Sequence, residues 1–256
     1  RARHTGPAAS WRDAAGRGGD GMMVGPDGPA PDGRRAGRPP AAGPGRISGT
    51  TGLLKTNSGS LTVSNANDFT GPTIVAGGVL AVSQLANGGT PSGIGAASSN
   101  PSNLVLNGGA LRYLSGNTGT DRGLTLATGG GTIDVVAANT VLTWSGVLAG
   151  NGTLIKSGAG QLNLNGANTF TGGTIVNAGT VRLVNMNGFG SGPVTLNGHA
   201  SPVVFRFGED QQTLDNPLVV EGTNNFVMLN GNNILSQVSG NGTLEGLVSS
   251  GTTLSF

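Results

Sequence analysis

The residues able to do acid–base chemistry in this sequence are few and scattered. Beyond residue 46 the carboxylates are Asp68, Asp121, Asp134, Glu209, Asp210, Asp215, Glu221 and Glu245. Cleaving a polysaccharide needs such groups clustered in a groove with a lysine or arginine beside them. The one adjacent pair, Glu209 and Asp210, lies in GEDQQ, which reads as a loop, and neighbours in a strand would point to opposite faces. His4 and His199 have no partner at metal-ligand spacing. The many serines lack a histidine with which to build a triad. With no cysteine there is neither a disulfide nor a thiolate metal site. GGGTID (129–134) partly matches a calcium-binding nonapeptide, but that chemistry needs the motif repeated in register, and it occurs once. No glycine-rich run leads into the Lys-Ser/Thr of a phosphate-binding loop. The expectation is therefore of no catalytic residue, no metal and no cofactor.

The elements that would hold any site are equally distinctive. Residues 1–46 carry eight arginines, four aspartates and seven of the thirteen prolines, with no Leu, Ile, Phe, Tyr, Asn or Lys. Such a segment buries too little apolar surface to offset its ordering entropy, and it is predicted to be a disordered basic tail. The tail accounts for the net charge of +2, because residues 47–256 have six basic and eight acidic side chains. The body thus offers no basic footprint for a nucleic acid. From Ile47 onward apolar residues come in short runs such as LTV (61–63), TIV (73–75), VLAV (79–82), LVL (104–106) and VRLV (181–184), each bounded by Gly, Asn or Ser. This is the pattern of many short strands separated by turns.

The sequence also repeats itself. Displaced by 101 residues, 53–82 aligns with 154–183 at thirteen identities. Among them Gly59, Asn67, Thr70 and Gly71 recur as Gly160, Asn168, Thr171 and Gly172, and Lys55 recurs as Lys156. GNGTL at 150–154 returns at 240–244, LNG at 106–108 returns at 196–198, and LRY at 111–113 meets FRF at 205–207. Units thus open near residues 49, 150 and 240. Self-similarity on this scale points to a solenoid whose units bury their faces against one another. With three strands per coil each unit holds about four coils, and the body about nine. Gly71 and Gly172 are expected at corners with positive φ. Lys55 and Lys156 are expected to point outward and keep the rod soluble, as are Arg112 and Arg206, each flanked by large apolar neighbours. Eight Asn-Gly pairs are also a hairpin signal, so an antiparallel sandwich is the alternative fold. Hairpins, however, would repeat every eight to twelve residues.

The run GNGTLIKSGAGQLNLNGANTFTGGTIVNAGTVRLVN (150–185), with FGSGPVTLNG (189–198) behind it, resembles the autotransporter-associated β-strand repeat of bacterial passenger domains. Residues 49–82 are a looser copy. The resemblance implies an all-β, right-handed parallel β-helix, a location at the bacterial cell surface or outside the cell, and a C-terminal translocator barrel as partner in the full-length precursor. The sequence shows no signal peptide and is read as a segment cut from such a precursor. The function expected is that of a structural stalk, not an enzyme. The alternatives are an adhesin, using segments 84–100 and 208–235 against host or neighbouring cells, and a polysaccharide lyase or hydrolase. An open edge near 240–256 is expected to favour end-to-end self-association.

Overall fold

The structure, a computed structural model, describes residues 45–229 and 232–248. The expected tail lies outside these residues except for Gly45 and Arg46, and so does the segment 249–256, part of the edge to which end-to-end association is assigned above. The described chain winds into a parallel β-solenoid. Face one has five strands, Leu53–Lys55, Thr73–Val75, Leu104–Leu106, Leu124–Leu126 and Leu148–Gly150. Face two has nine, from Ser60–Val63 to Val238–Gly240, so the described rod has nine coils. Face three has seven, from Thr118–Thr120 to Leu244–Val248. Every strand-to-strand pairing among the described residues is parallel. This excludes the hairpin sandwich. Among the described residues no helix is long and apolar enough to cross a membrane.

Alternation along each strand sends every second side chain inward, and parallel stacking then lines up like residues from coil to coil. Val75, Leu106 and Leu126 form such an inward ladder on face one. Leu80, Leu111 and Ile133 form one on face two, and Leu142, Leu162, Val181, Phe205 and Val227 one on face three. All are buried. Phe189, Phe205 and Phe207 thicken the core of the later coils, with ring centroids 5.6 and 4.7 Å apart.

The repeat and the coil are out of phase. Leu53–Lys55 stands on face one, and four coils later face one is occupied by Leu148–Gly150. Its sequence equivalent, Leu154–Ser157, is the next strand along and stands on face two. Likewise Ser60–Val63 is on face two and its counterpart Gln161–Leu164 on face three. The third copy obeys the same rule: Leu154 is on face two and its counterpart Leu244 on face three. One unit therefore comprises four coils plus one face, and successive units are turned by about a third of a revolution.

Candidate functional site: the corners of the repeat

The recurring residues converge on the corners of the coils. Asn67 sits in the loop after face two in the first coil. Its Oδ1 accepts from the Ile47 N–H at 2.8 Å, its own N–H donates to Ser92 O at 2.8 Å, and its Nδ2 donates to Asn65 O. Asn168 repeats the arrangement: Oδ1 accepts from Leu148 N–H at 2.8 Å, and Nδ2 donates to Gly188 O at 2.6 Å. The Asn168 side chain thus ties its coil to the ones on either side, while at Asn67 the side chain reaches the coil below and the backbone N–H the coil above. The backbone N–H groups of Thr70 and Thr171 donate to Gly49 O and Gly150 O, while both side chains are exposed. Gly59 O and Gly160 O accept from Val79 and Thr180 in the next coil.

Two sequence expectations need correction here. Gly71 and Gly172 do not have positive φ; that conformation belongs to Gly173, at 82°, beside Gly172, and one corner further on to Gly78, at 62°, and Gly179, at 71°. What Gly71 and Gly172 provide is close approach. A Cβ on Gly71 would lie 2.3 Å from Gly52 N, and one on Gly172 2.3 Å from the Gly152 carbonyl carbon.

Lys55 and Lys156 point inward, not outward. Lys156 stands in the inward ladder between Ile133 and Val176 and is fully buried. Its stem fills the place of an aliphatic side chain, and its Nζ reaches the corner to donate to the carbonyls of Ser157 at 2.6 Å, Gly158 at 2.7 Å and Ala178 at 3.1 Å. Lys55 does the same with Thr56, Asn57 and Gly77. One ammonium therefore satisfies carbonyls in its own turn and in the turn above, where side-chain-poor Gly, Ser and Ala cannot. The signal was present in the sequence: in LLK and LIK the lysine shares the parity of the buried Leu53 and Leu154.

Burial pushes the Lys156 amine down to about 8, with nearby Asp134 partly opposing the change. The folded pKa lies below the unfolded one, so the unfolded chain binds more protons between about pH 8 and 10.5, and stability rises with pH in that window. A tenfold change in proton affinity is equivalent to about 1.4 kcal/mol, so the gain from pH 7 to pH 10 is about 2–3 kcal/mol. Urea unfolding of the wild type and of Lys156→Met at both pH values should show the wild type gaining that much relative to the variant. An identical pH response in the two proteins would exclude it.

The remaining candidates do not form a reactive cluster. Glu209 is exposed in the loop after Val203–Phe207, with a carboxylate oxygen 3.9 Å from Arg182. Asp210 uses Oδ1 to accept from Gln211 N–H and from Asn232 N–H, which ties its loop to that of the next coil. Asp134, the acid of GGGTID, lies in the strand Gly131–Val135 and pairs with Arg112 at 2.7 Å. Asp68 pairs with Arg46 at 2.8 Å, and its carboxyl is held below the usual range by a hydrogen bond with the Ser48 side chain and by the Arg46 charge. His199 contacts Asn197; His4 lies outside the described residues. No group of three His, Asp or Glu among the described residues could hold a metal ion.

Sequence reasoning missed Arg122. Its guanidinium is buried and donates to four backbone carbonyls: Ala86 at 3.0 Å, Ala97 at 2.9 Å, Thr90 at 2.9 Å and Gly95 at 2.8 Å. Burial lowers its pKa. The carbonyl of Arg122 accepts from the buried indole N–H of Trp144 at 2.7 Å. The segment 84–100, one of the two assigned above to an adhesive surface, is thereby pinned onto the rod. Arg122 falls in an unrepeated stretch, and nothing in its sequence neighbourhood marks it.

The geometry is that of a repeat scaffold, a parallel β-solenoid whose recurring Asn, Lys and Gly residues serve its corners. Residues 53–82 and 154–183 both match the family model described as passenger-associated-transport-repeat. The adhesin BmaC autotransporter of Brucella suis biovar 1 (strain 1330) is 43% identical over 162 residues, which cover 62% of this chain and 5% of that protein. No solved structure matches. The chain thus carries two copies of this repeat and is similar to an autotransporter adhesin, and it spans about one-twentieth of the length of that curated relative.

Proposed function

We propose that this chain is a stalk segment of an autotransporter passenger, a spacer that holds other modules away from the bacterial surface. The observation that carries this reading is the stacking of strands through nine coils on face two over a continuous core, with the recurring Asn and Lys side chains spent on corner hydrogen bonds. At about 4.8 Å per coil the described rod is about 40 Å long. The role is non-enzymatic, and the partner within the precursor is a C-terminal translocator barrel that exports the rod. The adhesin reading is favoured second, by the name of the BmaC relative.

The test is made in the full-length precursor on cells. Replacing 47–256 by nine coils of an unrelated β-solenoid should preserve export, the length of the surface fibre in cryo-electron tomography, and attachment to other cells. Loss of attachment with export and length intact would overturn the stalk reading and favour the adhesin. Loss of a polysaccharide-cleaving activity would favour the enzyme.

A further inference from the structure

The two units differ on one outward ladder. In the first unit this ladder reads Ala81, Arg112, Asp134 on face two. Arg112 Nε donates to Asp134 Oδ2, and the charges cancel. In the second unit, one face further round, the equivalent ladder reads Arg182, Arg206, Met228. Where the first unit has alanine the second has arginine, and where the first has the carboxylate the second has methionine. Two arginines now stand directly opposite one another on adjacent parallel strands spaced about 4.8 Å apart, an arrangement of like charges that is unfavourable on its own.

These arginines are poorly compensated. Arg206 is exposed and makes no ion pair among the described residues. Arg182 is held in place by donation to Gly208 O at 2.7 Å; its acidic neighbour Glu209 is 3.9 Å away and largely exposed. The Nε of Arg182 is buried without any hydrogen-bond partner. The ladder continues to Asn163. Beside it Ala159, Ala178, Thr180, Pro202 and Val204 line an apolar groove of about 580 Å³.

We propose that this outward side of face three binds an acidic polysaccharide of the uronate class. Ring carboxylates bridge Arg182 and Arg206, and the apolar faces of the sugar rings lie in the groove. A carboxylate between the two guanidiniums removes their repulsion and accepts from their outer N–H groups, and charge-assisted bonds of this kind are among the strong ones. A glycan fits better than an acidic peptide. The strands here are paired on both sides, so a peptide finds no free backbone edge to extend. The surface instead offers guanidinium donors beside small apolar residues.

The test is a titration of fluorescently labelled oligogalacturonate with the full 256-residue chain, read by anisotropy. The double variant Arg182→Ala, Arg206→Gln should bind at least tenfold more weakly. Met228→Asp restores the arginine–carboxylate pair of the first unit and should do the same with both arginines in place. Arg112→Gln makes the same one-unit change in net charge as Met228→Asp and should leave binding within twofold. Unchanged far-UV circular dichroism checks that the variants are folded. Undetectable binding by the wild type, equal binding by the double variant, equal loss in Arg112→Gln, or polyglutamate of the same length binding as tightly would each overturn the assignment. The readout does not involve the spacer role, which stands or falls separately.

Discussion

Arg122→Leu is expected to cost about 4 kcal/mol and to release the segment 84–100 from the rod. The guanidinium donates to four carbonyls, and the bonds to Ala97 and Gly95 are fully buried. Leucine fills part of the volume but donates nothing. Each carbonyl left unpaired away from water costs about 1–3 kcal/mol, and truncating one member of a buried charged network typically costs about 3–5 kcal/mol. Lysine at this position keeps the charge, but a single ammonium cannot reach carbonyls spread around a planar fork, so Arg122→Lys should fall between wild type and leucine. Two measurements check this. Urea unfolding gives the loss in stability. Limited proteolysis should show new cleavage between residues 86 and 98 in Arg122→Leu under conditions where the wild type is intact. A variant as stable and as protease-resistant as the wild type would mean that the segment is held by something other than this side chain.

Gly172→Ala is the second large effect, expected at about 3 kcal/mol, the upper end of the range for overpacking. The backbone of Gly172 needs no positive φ, so alanine is not strained in itself. The penalty comes from space: the new Cβ would lie 2.3 Å from the Gly152 carbonyl carbon and 2.6 Å from Thr153 N. Both contacts are to backbone of the coil below, which cannot rotate away as a side chain would. Relieving them means spreading two coils at a corner and loosening the bond from Thr153 Oγ1 to Gly172 O. Glu209→Ala, on an exposed loop, should stay within about half a kcal/mol. Thermal unfolding of both variants settles the ranking, and the reverse order would argue against a scaffold held by its corners.

The same two residues show how far the sequence could be read. That Gly172 matters was legible, because it recurs with Gly71 in FTG, but the reason was not: only the stacked coils show which backbone passes within reach. Short strands and turns were legible because period-two alternation and glycine or asparagine boundaries are local. The phase of the repeat was not. Leu53 pairs with Thr73, 20 residues on, whereas Thr73 pairs with Leu104, 31 residues on, because the segment 84–100 lengthens one coil. Identity at a displacement of 101 residues therefore gives the unit but not how many coils it fills. Lys156 was misplaced because charge was weighed above parity. Its stem is aliphatic and only its tip needs polar company, which the corner carbonyls provide. Arg122 was invisible, since its four acceptors are main-chain atoms of a loop that no pattern connects to it.

The third-of-a-turn offset between units couples reach to direction. A solenoid with a whole number of coils per unit would lengthen without turning, and a module mounted on it would always face the same way. Here each unit adds about 20 Å of length at about 4.8 Å per coil, and each also swings whatever follows by about 120° around the axis. Three units bring the sequence pattern back to its starting face, like one full pitch of a screw thread. Gain or loss of a single unit would therefore re-aim a distal domain as well as move it, while a change of three would only move it.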